Sequence, residues 1–190
     1  MLLNSDNDSL ATIRFVGRSE SGKTTLVSAL IGYWSELGLR VGAIKHASKA
    51  FQMDRPGKDS HRFRDRGAAA IAVASPTEFA MIASTQAPAT VAELTAHLPN
   101  DLDVILVEGY KGDGGPAVLV HRGEQPLLSS ERILPGLLAV ATDRPGMHDT
   151  DVPQFDSSDI ATLATFLDRE FNISSRHCLV QPKSLMSHFG

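Results

Sequence analysis

The sequence predicts an α/β fold: a single domain built on a doubly wound, mostly parallel sheet. Three observations carry this expectation. Short apolar runs of strand length alternate with stretches of helical periodicity. The first such unit reads strand, glycine-containing loop, helix, strand, which is the parallel βαβ crossover. The chain has 190 residues, 42% hydrophobic and 21% charged. That is enough for one α/β core and short for two.

Residues 1–11 read as a polar leader, residues 12–171 as the domain, and residues 172–190 as a polar tail. Thr12 to Val16 is an apolar run that ends at Gly17 and predicts a buried strand. Leu26, Leu30, Trp34 and Leu37 then recur at helical spacing, with Gly38 as the stop. Arg40 to Lys45 is the second strand. Asp59 to Arg66 is a short helix closed by Gly67. Ala70 to Ser75 and Glu78 to Ser84 are two strands around Pro76-Thr77, expected as an antiparallel element on the sheet. Thr90 and Glu93 form a capping-box pattern that opens a helix to about Leu98. Leu102 to Val107 is the most apolar strand and ends in Glu108-Gly109. Ala117 to His121 and Leu137 to Thr142 are the remaining strands. Asp156 and Ser157 open a last helix through Phe171.

The net charge of −4 gives no global basic field for nucleic acid or an acidic membrane surface. One cysteine, Cys178, excludes an intrachain disulfide framework and a CxxC zinc site. The first residues lack the basic start and apolar core of a signal peptide. No run approaches the roughly 18 apolar residues of a spanning helix. A soluble, cytoplasmic protein is expected.

The chemistry is concentrated in one loop. Gly17-Arg18-Ser19-Glu20-Ser21-Gly22-Lys23-Thr24 fits GxxxxGK[ST] at every fixed position, between a strand and a helix. Gly17 and Gly22 permit close approach and unusual backbone angles. The loop's N–H groups and the helix N-terminus then face phosphate oxygens. Lys23 brings an ammonium to the β- and γ-phosphates, and the Thr24 hydroxyl can ligate Mg2+. Arg18 and Thr25 are additional contacts or exposed residues, and Glu20 is expected to face solvent.

Carboxylates at strand ends complete such a site. Glu108 ends a buried strand at the carboxyl edge of the sheet, where ligands bind. It is the chosen Mg2+ or water partner, with a rim carboxylate as the alternative. Asp103, at the other end of that strand, belongs to the opposite edge. Asp54 and Asp59 flank Pro56-Gly57-Lys58; Asp59 reads either as a γ-phosphate neighbour or as a helix N-cap. His46, Lys45, Lys58 and Lys111 are rim residues, functional or merely solvated. Asp143 closes the last predicted strand. A carboxylate there would select guanine by accepting from N1 and the 2-amino group; an ordinary turn residue is the alternative.

Taken in order, these segments resemble the MobB family. The carriers are the phosphate loop, Val41-Gly42-Ala43-Ile44-Lys45-His46, Asp54-Arg55-Pro56-Gly57-Lys58-Asp59-Ser60, Arg66-Gly67-Ala68, and Val107-Glu108-Gly109-Tyr110-Lys111. The resemblance spans about residues 12 to 170. It implies a P-loop NTPase-like, GTP- and Mg2+-binding accessory protein of molybdopterin guanine dinucleotide assembly. It further implies a homodimer with weak GTPase activity, acting beside the guanylyltransferase MobA on the molybdenum cofactor. Gly17, Ser21, Gly22, Lys23, Thr24 and Thr25 would then hold phosphate and metal. Asp59 and Glu108 would lie near the γ-phosphate and Mg2+, and Asp143 near the base. Two departures stand out. Ala47-Ser48-Lys49 replaces the His-rich stretch that follows the Lys-His pair in the family, and residues 172–190 do not match a typical family end. The same loop would also serve a P-loop kinase acting on a small metabolite, with Asp59 as base and Arg122 and Arg132 in a lid.

Overall fold

A computed structural model describes residues 10–47, 51 and 53–175. The expected tail from residue 176 onward, Cys178 with it, and the first nine residues of the leader lie outside the described residues. The described chain falls into two compact units, residues 47–90 and the remainder.

The larger unit is built on a six-stranded sheet. Its strands in chain order are β1 (Ala11–Val16), β2 (Val41–Lys45), β3 (Val104–Glu108), β4 (Ala117–His121), β5 (Leu137–Thr142) and β6 (Gln154–Asp156). Their spatial order is β2-β3-β1-β4-β5-β6, and every pair is parallel. This is the doubly wound α/β arrangement of P-loop NTPase-like folds. The strands are continuous apolar runs because both faces are covered.

Side chains alternate along β1 and sort the two faces. Ile13 and Phe15 join Leu26, Leu30 and Trp34 of α1 (Lys23–Glu36) and Leu163 and Leu167 of α2 (Ile160–Phe171) in the largest core cluster. Val16 lies on the other face with Leu119, Leu127 and Val140. Arg14 shares that second face and is 2% exposed. A further cluster there joins Ile44, Ile105 and Val107 to Val91, Leu94 and Leu98, from the α3 helix (Val91–Thr95) and the turn after it.

Two elements escaped the sequence pattern. Strand β6 is three residues long, and the α4 helix (Ser129–Arg132) is four; neither is long enough to show a period. The start of α2 also differs from expectation. Asp156 closes β6 and accepts from Ser158 N at 2.8 Å, whereas Asp159 is the cap, accepting from Thr162 N at 3.1 Å. Two aspartates that could cap a helix, Asp156 and Asp159, lie three residues apart, and strand pairing takes the first.

The smaller unit contains helix α5 (Asp59–Asp65) and strands β7 (Ala70–Ala74) and β8 (Phe79–Ala83). The strands pair antiparallel, with Ser75 N donating to Glu78 O at 2.7 Å across the turn. The expected antiparallel element therefore exists, but as a two-stranded sheet of its own.

Candidate functional site

The loop after β1 has the geometry that its glycines predict. Gly22 sits at φ 92°, ψ 11°, the left-handed region, directly before α1. A Cβ on Gly17 would lie 2.2 Å from the Val120 carbonyl oxygen and 2.8 Å from Ser21 Oγ. Only glycine lets β1 turn into the loop so close to β4. Ser21 Oγ is buried without a hydrogen-bond partner among the described residues. Glu20 is exposed, as expected, and takes φ 61°. Lys23 Nζ donates to the carbonyls of Gly17 and Arg18, so its ammonium folds back over the loop. Burial lowers the Lys23 pKa; Glu108 raises it, and Lys111 and Lys45 lower it again.

The sheet register brings the metal candidates together. Lys45 on β2 is paired with Glu108 on β3, and Phe15 on β1 is paired with the same residue. Glu108 thus emerges at the carboxyl edge beside the phosphate loop. Thr24 Oγ1 donates to the Glu108 carboxylate at 2.9 Å. Lys45 Nζ donates to its two oxygens at 2.8 and 2.7 Å and to Thr24 Oγ1 at 3.1 Å. No cluster of three or more His, Cys, Asp or Glu suited to a metal occurs among the described residues. Mg2+ at a nucleotide needs only one or two protein oxygens, with phosphate and water supplying the rest. The hydroxyl of Thr24 and the carboxylate of Glu108 fit that mode. Lys45 was read only as a rim lysine; it is the direct partner of the proposed metal carboxylate. Thr25, next in α1, is exposed.

Asp143 follows β5 at the same edge and is exposed. Its Oδ1 accepts from Gly123 N at 2.9 Å, and this N–H holds its carboxyl below the usual range, with Arg144 and Arg122 adding to the effect. An ionised carboxylate is the form that accepts from a guanine edge.

The remaining candidates make the following local contacts. Asp59 is the first residue of α5, 87% exposed at its side chain, and pairs with Arg62 at 3.6 Å. It makes no cap hydrogen bond. Asp54 accepts from Ser60 Oγ at 2.8 Å. Asp103 is buried at the far edge and accepts from Arg40 N at 2.7 Å. His46 packs edge-on against Tyr110, ring centroids 4.9 Å apart. Arg132, the proposed lid arginine, is bound to Asp149 at 2.6 Å.

Sequence reasoning missed Arg14. Its guanidinium donates to the carbonyls of Tyr110 at 2.9 Å, Gly115 at 2.6 Å and Pro135 at 3.0 Å. It therefore ties the segment after Glu108 to the loop before β5. The available signal was a lone arginine inside the run Thr12-Ile13-Arg14-Phe15-Val16. Glu131 was missed as well. It is 7% exposed, accepts from Leu128 N at 2.8 Å and pairs with Arg18 of the phosphate loop at 3.3 Å. Burial raises its pKa, but the Leu128 N–H and Arg18 outweigh burial and leave it lowered.

A buried histidine pair lies at the same edge. The rings of His121 and His148 are 4.5 Å apart and edge-on, and His148 Nε2 lies 3.1 Å from Thr142 Oγ1. Thr142 Oγ1 already accepts from Arg144 N, so its proton is free to donate to a neutral His148 ring. Burial lowers the His148 pKa, His121 lowers it further, and Asp143 partly opposes them. The unfolded chain then takes up a proton at higher pH than the folded one. Stability is complete above the ordinary histidine value of about 6.5 and is lost as pH falls below it. The wild-type melting temperature is expected to drop between about pH 7 and 5.5, and His148→Asn to flatten that drop. Melting curves across this range would test it; equal slopes would remove the histidine from the account.

Comparison with known proteins shows the family. Residues 12–143 match the family model "MobB: Molybdopterin guanine dinucleotide synthesis protein B". The molybdopterin-guanine dinucleotide biosynthesis adapter protein of Haemophilus influenzae is 33% identical over 165 residues, covering 85% of this chain and 90% of that protein. The Escherichia coli K12 protein of the same description is 33% identical over 164 residues, covering 82% and 90%. Among solved structures, a MobB homologue from Bacillus stearothermophilus superposes with a TM-score of 0.66 at 26% identity, covering 85% of this chain and 97% of that one. Bacillus subtilis MobB gives 0.65 at 25%, covering 84% and 98%.

Proposed function

Because this chain belongs to the MobB family, we propose that it is a GTP-binding adapter in the assembly of molybdopterin guanine dinucleotide, acting beside a MobA-type guanylyltransferase on the molybdenum cofactor. The observation that carries the reading is the convergence at one sheet edge of the phosphate loop, the Thr24–Glu108 pair and Asp143. Gly17, Ser21, Gly22, Lys23, Thr24 and Thr25 receive the phosphates. Thr24 and Glu108 hold Mg2+, whose chemistry is to neutralise charge on the β- and γ-phosphates. Asp143 reads the guanine edge.

Turnover in this reading is slow. Arg18, the arginine within the loop, is committed to Glu131 and to the Pro126 carbonyl, so it is not free to act as an arginine finger. Such a finger supplies a factor of about 10^3 to 10^5. The homodimer belongs to the same reading. Val73, Phe79 and Met81 on β7 and β8 are exposed and offer apolar surface to a second copy. Among the described residues no helix is long and apolar enough to cross a membrane.

Calorimetric titration with Mg-GTP and Mg-ATP tests the proposal. GTP is expected to bind at least about tenfold more tightly, and Asp143→Asn to erase the difference, since the amide presents a donor to the donors of guanine. Equal affinity for the two nucleotides in the wild type would contradict the guanine assignment.

A further inference from the structure

Lys45 makes more contacts than a rim lysine needs. The parallel register sets it opposite Glu108, and Thr24, in the first turn of α1, reaches the same carboxylate. An ammonium has three protons to donate. The acceptors around Lys45 Nζ are both Glu108 oxygens, at 2.8 and 2.7 Å, and Thr24 Oγ1, at 3.1 Å. These are the oxygens that the proposed site offers to Mg2+. A hydroxyl and a carboxylate are hard donors, which a small divalent ion takes at about 2.0–2.1 Å. One set of lone pairs cannot serve the ammonium and the metal together.

The placement of Lys45 is built into the strand end. His46 N donates to Glu108 O at 2.9 Å and fixes the end of β2 on β3. The His46 ring packs on Tyr110, and a Cβ on Gly109 would lie 2.9 Å from His46 Cβ. The backbone that carries Lys45 is therefore pinned, and only its side chain is free to turn away. The Glu108 side chain is 14% exposed, so its charge needs a close partner. Lys23 does not supply it, because its ammonium donates to the Gly17 and Arg18 carbonyls. Stability gives little reason for the pair. The Lys45 side chain is 59% exposed, and ion pairs of that kind contribute little to folding.

We propose that Lys45 is a built-in cation at the metal position. Without nucleotide it neutralises Glu108 and keeps a free divalent ion out. It gives way when the metal arrives with phosphate, whose oxygens complete the coordination that Thr24 and Glu108 alone cannot. Metal then enters with the nucleotide rather than ahead of it. The inference deepens the nucleotide reading and rests on it for the choice of Thr24 and Glu108 as the metal pair.

Mn2+, which suits the same oxygen ligands as Mg2+, is the probe, with the free ion read by its paramagnetic resonance signal. The full chain is titrated without nucleotide. Wild type is expected to bind Mn2+ weakly, and Lys45→Met about tenfold more tightly. Adding Glu108→Gln to Lys45→Met should remove that gain. Melting curves give a second readout. Mg2+ alone should stabilise Lys45→Met and leave the wild type unmoved, because only an ion bound to the folded chain raises its melting temperature. A merely structural role for Lys45 would produce no gain of metal affinity on its removal. The inference is overturned if Lys45→Met binds Mn2+ no more tightly than the wild type, or if Glu108→Gln leaves the gain in place. Titration of the wild type with Mg-GTP reports on the nucleotide reading separately, so its failure and the failure of the role of Lys45 are distinguishable.

Discussion

Replacing Lys23 with alanine is expected to abolish GTP binding while the protein stays folded. The ammonium already lies over the loop, donating to the Gly17 and Arg18 carbonyls. On the proposed GTP-binding reading those donors would turn to phosphate oxygens. A hydrogen bond to a charged group contributes about 1.5–3 kcal/mol, and two phosphates are served. The loss should be roughly 3 kcal/mol or more, a weakening of at least about a hundredfold. Stability should hold. Lys23 sits partly buried near Lys45 and Lys111, and these surroundings lower its pKa. Removing it lifts the desolvation cost of a partly buried ammonium. Calorimetry with Mg-GTP and a melting curve on the same variant decide the matter. An unchanged affinity would remove the loop from the nucleotide site.

Replacing Arg14 with alanine is expected to destabilise the larger unit strongly. The side chain is buried, and it serves carbonyls from three separate places, Tyr110 with Lys111, Gly115, and Pro135. Truncation leaves these acceptors without their donor and opens a void on the second face of the sheet. The cost should be about 3–5 kcal/mol, which for a domain of this size lowers the melting temperature by roughly 10 °C. Arg14→Lys should recover only part, because one ammonium cannot reproduce the planar fork that spans Tyr110, Gly115 and Pro135. A melting temperature within about 2 °C of wild type for Arg14→Ala would refute the bracing role.

The two variants probe different kinds of information. Lys23 is recognisable from eight consecutive residues, because the loop's work is local: two glycines, a helix N-terminus and a lysine at fixed spacing. Arg14 is not. Its carbonyl partners lie 96 to 121 positions away, and nothing in their own neighbourhoods marks them as needing a donor. Glu131 is similar: its value depends on Arg18, 113 residues earlier in the chain.

By itself the sequence determined the phosphate loop, the strand–helix alternation, the carboxyl-edge position of Glu108 and the family resemblance. These are properties of short windows, where period and turn chemistry act on neighbouring residues. It also marked the antiparallel pair and most element boundaries. The tertiary structure decided what those windows touch. Parallel register set Lys45 beside Glu108 and carried Thr24 to the same carboxylate. It gave Asp156 to the end of β6 and Asp159 to the cap of α2. It turned a stray arginine in β1 into the brace between the segment after β3 and the loop before β5. Contacts of this kind depend on strand order, and strand order is settled by the packing of the whole sheet rather than by any segment of it.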